Sequence, residues 1–90
     1  VIQTVVRRNF HLFKGCYEDG LRRNPNLEGR ISASFVIERD GSVKSSSDGG
    51  SDIPDAAVRD CVVRTFVGLK FPPPESGIVT VVYPIMLAPG

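Results

Sequence analysis

The sequence predicts an α+β domain of order helix-strand-strand-helix-strand, a three-stranded antiparallel sheet with two helices packed on one face. Three observations carry this expectation. Residues 29–44 alternate apolar and polar side chains around Asp40-Gly41, which reads as a β-hairpin. Residues 1–23 and roughly 54–68 place apolar residues at steps of three and four, which reads as two amphipathic helices. Residues 78–87 form a closing run rich in β-branched side chains. Two helices with one apolar stripe each need a sheet face to cover, and this sheet supplies one.

The first helix is expected from Val1 to Arg23. Ile2, Val5, Val6, Phe10, Phe13, Cys16, Tyr17 and Leu21 fall on its apolar stripe, with Arg7, Arg8, His11, Lys14 and Glu18 mostly opposite. Gly15 and Gly20 each lower helix propensity by roughly 1 kcal/mol relative to Ala. Gly15 is read as a place where another backbone passes close. The helix should stop near Asn24, because Pro25 disfavours the α region in the residue before it. Residues 24–29 are then a loop.

In the hairpin, Ile31, Ala33, Phe35 and Ile37 face a core, while Arg30, Ser32, Ser34 and, less cleanly, Val36 face away. Asp40-Gly41 supplies the turn, and Val43 restarts the pattern. Residues 45–52 are polar and glycine-bearing, so they read as a flexible loop into which the second strand frays. Pro54 suits a first helical turn, with Asp52 or Ile53 at the cap and Asp55 near the positive helix end. This second helix runs to about Gly68. It should bury Val58, Cys61, Val62, Thr65, Phe66 and Leu69 and leave Arg59, Asp60 and Arg64 wet. Phe71-Pro72-Pro73-Pro74 is a stiff extended connector, read as a spacer rather than as a ligand for an SH3-type domain. After a turn at Glu75-Ser76-Gly77 comes the strand Ile78 to Leu87. Pro84 lacks a ladder donor, which sends this strand to a sheet edge.

Ninety residues make one domain with a modest core. A hydrophobic content of 41% excludes a disordered chain, and a net charge of +1 argues against a nucleic-acid surface. No apolar run approaches the roughly 20 residues of a membrane span. The chain begins at Val1 without a signal peptide, and we read it as a domain cut from a longer protein, with any membrane link lying upstream.

Chemistry-bearing residues are few. His11 is the single histidine and falls on the polar side of its helix, so a solvated surface residue is expected. Asp40 and Asp48 are turn residues, and Asp52 and Asp55 are cap residues, rather than paired acids. Gly49-Gly50 lacks the Lys and the helix of a phosphate loop. No catalytic set, cofactor site or metal set follows, and the chain is read as a non-enzyme.

Cys16 and Cys61 lie 45 positions apart, one on each apolar stripe. Side-by-side helices would let the sulfurs meet, and a bridge of that span would contribute roughly 4 kcal/mol in the chain-entropy model. The alternative is two buried thiols behaving as small hydrophobes. The candidate binding feature is the last strand. An uncovered apolar edge is a hazard unless it is used, and one use is strand addition by an extended partner segment. The residues expected to take part are Ile78, Val79, Thr80, Val81, Val82, Tyr83 and Ile85, with the backbones of Val79, Val81 and Tyr83 bonding the partner and Tyr83 adding a side-chain contact. Self-pairing of this strand into a homodimer is one alternative. Binding of an anionic polymer to the mild basic surface of Arg7, Arg8 and Lys14, with Arg22, Arg23 and Arg30, is another.

Glu28-Gly29-x-Ile31, Phe35-x-Ile37-x-x-Asp40-Gly41-x-Val43, Leu69-Lys70-Phe71-x-Pro73 and Ser76-Gly77-Ile78-Val79, with a closing apolar strand, resemble the TonB C-terminal domain in order and spacing. With Cys16-Tyr17-Glu18 and the run Arg23-Asn24-Pro25-Asn26-Leu27-x-Gly29-Arg30, the whole chain looks closer still to one branch. That branch is the AgmX/PglI C-terminal, TonB-like domains of myxobacterial envelope proteins associated with gliding motility. Leu69 stands where the family usually has Trp, and a long helix replaces the upstream Tyr-Pro segment, so only the edge-strand mode is carried over. The resemblance implies a periplasmic domain of an inner-membrane-anchored protein that holds an outer-membrane or periplasmic partner and transmits force. A Cys in each helix recurs in that branch, which implies the Cys16–Cys61 bridge and an oxidising compartment.

Overall fold

A computed structural model describes residues 2–89. Val1, placed by the sequence pattern at the start of the first helix, lies outside them. The elements are α1 (Ile2–Arg8), α2 (Phe10–Arg23), β1 (Gly29–Ile37), β2 (Val43–Asp48), α3 (Ala56–Val67) and β3 (Val79–Leu87). The strands form one antiparallel sheet of order β2-β1-β3, so both β2 and β3 are edges. This is the α+β class expected.

The expected single first helix is two. Asn9 leaves the helical region at φ −107° and ψ 14°. Its Nδ2 donates to the Val5 carbonyl at 2.8 Å, and its backbone N–H is shared between the Val5 and Val6 carbonyls. A side chain that bonds its own preceding turn competes with the regular helix ladder, and apolar periodicity cannot register it. The predicted stripe is otherwise kept, except that Phe10 is 41% exposed.

Gly15 does not mark a close approach: a Cβ built there meets nothing within 4 Å. Gly20 does. A Cβ there would stand 2.4 Å from Val58 Cγ2 and 2.6 Å from Leu27 Cδ2, so α3 and the following loop pass directly over this glycine. Near it the Tyr17 hydroxyl donates to the Leu27 carbonyl, and burial pushes the Tyr17 phenol pKa up.

Ser45–Asp48 is strand rather than loop, paired with Ala33–Val36. Serine has little β preference of its own, but the unsatisfied backbone of β1 offers a ladder, and tertiary pairing overrides propensity. The second major helix also starts later than expected. Asp55, not Asp52 or Ile53, is the N-cap, with its carboxylate accepting from Val58 N–H. Pro54 precedes the cap. Ile53 is buried, and the Asp52 carboxylate accepts from the Arg30 backbone N–H at 2.6 Å. Arg59 is half-buried rather than wet, donating to the Ile53 carbonyl at 2.5 Å.

The core lies between the sheet and the helices. Phe66 of α3 sits between Phe13 of α2, at 4.9 Å between ring centroids, and Phe35 of β1, at 4.7 Å. Phe71 extends the stack at 5.5 Å from Phe35. Phe71 is held by its N–H to the Gly41 carbonyl at 2.9 Å. Gly41 needs to be glycine: its φ is +91°, and a Cβ would fall 1.8 Å from the Phe71 carbonyl oxygen. The hairpin turn thus anchors the proline connector that leads into β3.

Candidate interaction edge

The orientation of β3 follows from the hydrogen bonds of β1. Gly49 N–H donates to the Ser32 carbonyl at 2.7 Å, Ser32 N–H donates to Ser51 Oγ at 3.2 Å, and Asp52 N–H donates to the Arg30 carbonyl at 2.9 Å. The backbones of Arg30 and Ser32 therefore point away from β3. In an antiparallel pair, bonded and non-bonded positions alternate. The residues of β1 that bond β3 are then Gly29, Ile31, Ala33, Phe35 and Ile37, whose partners are Leu87, Ile85, Tyr83, Val81 and Val79.

This parity corrects the backbone expectation. Val79, Val81 and Tyr83 direct their N–H and C=O groups inward to β1. Thr80, Val82 and Met86 direct theirs to the open edge. Pro84 stands opposite Ser32, at a position where β1 asks for no donor, and offers the edge a carbonyl alone.

The side chains divide in the same way. Val79, Val81 and Tyr83 are half-buried on the helix side, with the Tyr83 ring 6.4 Å from Phe66. Ile85 is buried, so its side chain is not offered to a partner. Val82, at 61%, and Met86, at 70%, stand on the bare face of the sheet. Ile78 precedes the strand and is 54% exposed. Met86 was absent from the expected site. Its parity with Pro84 was the available signal.

A cleft of about 420 Å³ flanks the C-terminal half of this edge. Phe10, Lys14, Tyr17, Glu18 and Leu21 of α2 line one side, and Met86 to Pro89 line the other. A second apolar cleft, of about 390 Å³, lies at the N-terminal end of β3 between Ile2, Val79 and Pro72-Pro73-Pro74. Residues of α1 and α2 therefore line clefts at the two ends of β3.

Cys16 and Cys61 form a disulfide with Cα atoms 5.7 Å apart, which ties α2 to α3. Beside it, Arg23 donates to Asp19 at 2.8 Å and to Asp55 at 2.9 Å, clasping the same two helices. Hydrogen bonds from Arg23 and then Arg22 hold the Asp19 carboxyl below its ordinary pKa. The Val58 N–H, with Arg23, does so for Asp55. Arg7, Arg8 and Lys14 are exposed and make no ion pair among the described residues. His11 is exposed on the same helices, and no cluster of three metal-ligating side chains occurs among the described residues. No helix among them is long and apolar enough to cross a membrane.

No protein-family model and no curated protein matches the chain. A solved structure does: the C-terminal domain of TonB from Helicobacter pylori, determined by NMR in solution. It superposes with a TM-score of 0.55 at 22% identity, over 88% of this chain and 78% of that one. The fold is therefore that of a TonB C-terminal domain.

Proposed function

We propose that this chain is a non-enzymatic protein-interaction domain that takes up an extended segment of an outer-membrane or periplasmic partner by strand addition at β3. In this reading it is the single TonB C-terminal-like domain of a longer, inner-membrane-anchored envelope protein and lies in the periplasm. It transmits force from an inner-membrane motor to that partner, as in the gliding-motility branch that the sequence resembles.

The observation that carries the reading is the open β3 edge. Nine residues of strand present outward backbone groups at Thr80, Val82 and Met86, with no charged side chain anywhere from Ser76 to Gly90. Proteins usually blunt such an edge with charge or cover it, and strand addition is the physical use that leaves it open. The likeness to the TonB fold supports the same reading. The Cys16–Cys61 bridge fits an oxidising compartment such as the periplasm.

The test is an amide NMR titration with extended segments of candidate envelope partners, repeated with Val82→Pro. Val82 N–H faces outward, so proline removes a donor from the edge without touching the β1–β3 ladder. Binding should shift Thr80, Val82 and Met86 and disappear in the proline variant. Unchanged affinity in a folded Val82→Pro protein overturns strand addition.

A further inference from the structure

We infer that the Cys16–Cys61 bridge is a thiol–disulfide exchange site, at which a Cys-x-x-Cys dithiol of a partner protein attacks Cys61 and Cys16 leaves. The inference does not rest on strand addition at β3.

The bridge is not sealed in the core. Cys16 is buried, whereas Cys61 is only partly so. A trough of about 600 Å³ between α2 and α3 opens over the pair. Gly15 and Ala57 line it with almost no side chain, and a Cβ built on Gly15 meets nothing within 4 Å. Leu12, 45% exposed, lines it as well and offers an apolar contact. Exchange needs access to a sulfur, and exposed bridges are the exchangeable ones. Here access falls on Cys61.

Two charged side chains line the trough. Asp19 is engaged by Arg22 and Arg23, while Arg64 makes no ion pair among the described residues. Arg64 stands three residues after Cys61, a neighbouring position on one helix face. A cation in that place favours an incoming thiolate.

Attack on Cys61 Sγ forms a mixed disulfide and breaks the Cys16–Cys61 bond. The electron pair goes to Cys16 Sγ, which then takes a proton. Thr65 Oγ1 lies 3.7 Å from that sulfur and gives its hydrogen to the Cys61 carbonyl at 2.8 Å. A turn of the hydroxyl lets it donate to the departing thiolate instead. The partner's second thiol then attacks its own sulfur in the mixed disulfide and releases Cys61. The partner dithiol ends as a disulfide, and its two protons end on Cys16 and Cys61.

A lone thiol does not complete this sequence. Phe13 of α2 and Phe66 of α3 pack at 4.9 Å between ring centroids, which keeps the helices together once the bond is broken. Cys16 therefore stays beside Cys61, expels a single thiol and re-forms the bridge.

The probe is a reduced thioredoxin-fold protein whose second active-site cysteine is changed to serine. It is mixed with the oxidised domain in native buffer, and the trapped complex is mapped by mass spectrometry. The mixed disulfide is expected at Cys61. Gly15→Leu fills the trough from an open position and should slow trapping about tenfold without lowering the urea midpoint. Trapping at Cys16, or undiminished trapping in Gly15→Leu, overturns the inference. So does a trapping rate that climbs with sub-denaturing urea in step with the unfolded fraction, because the bridge is then reached only through unfolding. In a second arm, dithiothreitol should reduce the folded domain and glutathione at equal thiol should not. Equal reduction by both overturns the dithiol preference.

Discussion

Gly15 and Gly20 lie on the same helix in opposite surroundings. Gly20 is overlaid by Val58 and Leu27, so Gly20→Ala should destabilise the fold by about 1–3 kcal/mol through overpacking. Gly15 faces open space in a regular helix, so Gly15→Ala should stabilise by about 1 kcal/mol. Urea denaturation of the two variants checks both signs. Asp55 is the second residue whose setting fixes a prediction. Its carboxyl is held below the ordinary value of 3.8 by the Val58 N–H and by Arg23. A depressed carboxyl contributes stability that is present above the unfolded pKa and lost as pH falls through the folded one. Denaturation midpoints should therefore hold above about pH 5 and drop below 3.8. Asp55→Ala should lower the denaturation midpoint at neutral pH, through loss of the cap, and flatten the acid drop.

The behaviour of β3 follows from parity. Val81→Pro removes a donor to β1, and with it part of the ladder that holds β3, so it should destabilise the domain by about 1–3 kcal/mol. Val82→Pro should leave thermal stability nearly unchanged, and the pair of melting curves distinguishes inward from outward positions. Much of this was legible in the residues. Period-two alternation located β1, and Pro84 placed β3 at an edge; its outward residues were misassigned to Val79, Val81 and Tyr83, although the parity of Pro84 carried the signal. Asn9 was not legible, because its bond to Val5 leaves the apolar stripe intact. Nor was Ser45–Asp48, whose strand conformation comes from its neighbour. The cleft beside Met86 joins residues from opposite ends of the chain, and no local pattern contains it.

At the scale of the whole molecule, the Cys16–Cys61 bridge decides how the parts hold together. The sequence left it open between a bond and two buried thiols, since helix periodicity does not say which helices are neighbours. A bond that closes 45 residues contributes about 4 kcal/mol in the chain-entropy model. For a domain whose total is on the order of 5–10 kcal/mol, reduction should lower the guanidinium midpoint by a large fraction.

The bond also reroutes tension. A pull between the two ends of the chain enters through α1, crosses from Cys16 to Cys61, and leaves through α3 and β3. The hairpin β1–β2 hangs from that path as a side loop and carries load only through its pairing with β3. When the oxidised molecule gives way, the loop stays closed, and the chain lengthens by roughly 160 Å less than the reduced one at about 3.6 Å per residue. Under load, a molecule of this build lengthens in a shorter step for as long as the Cys16–Cys61 bond holds.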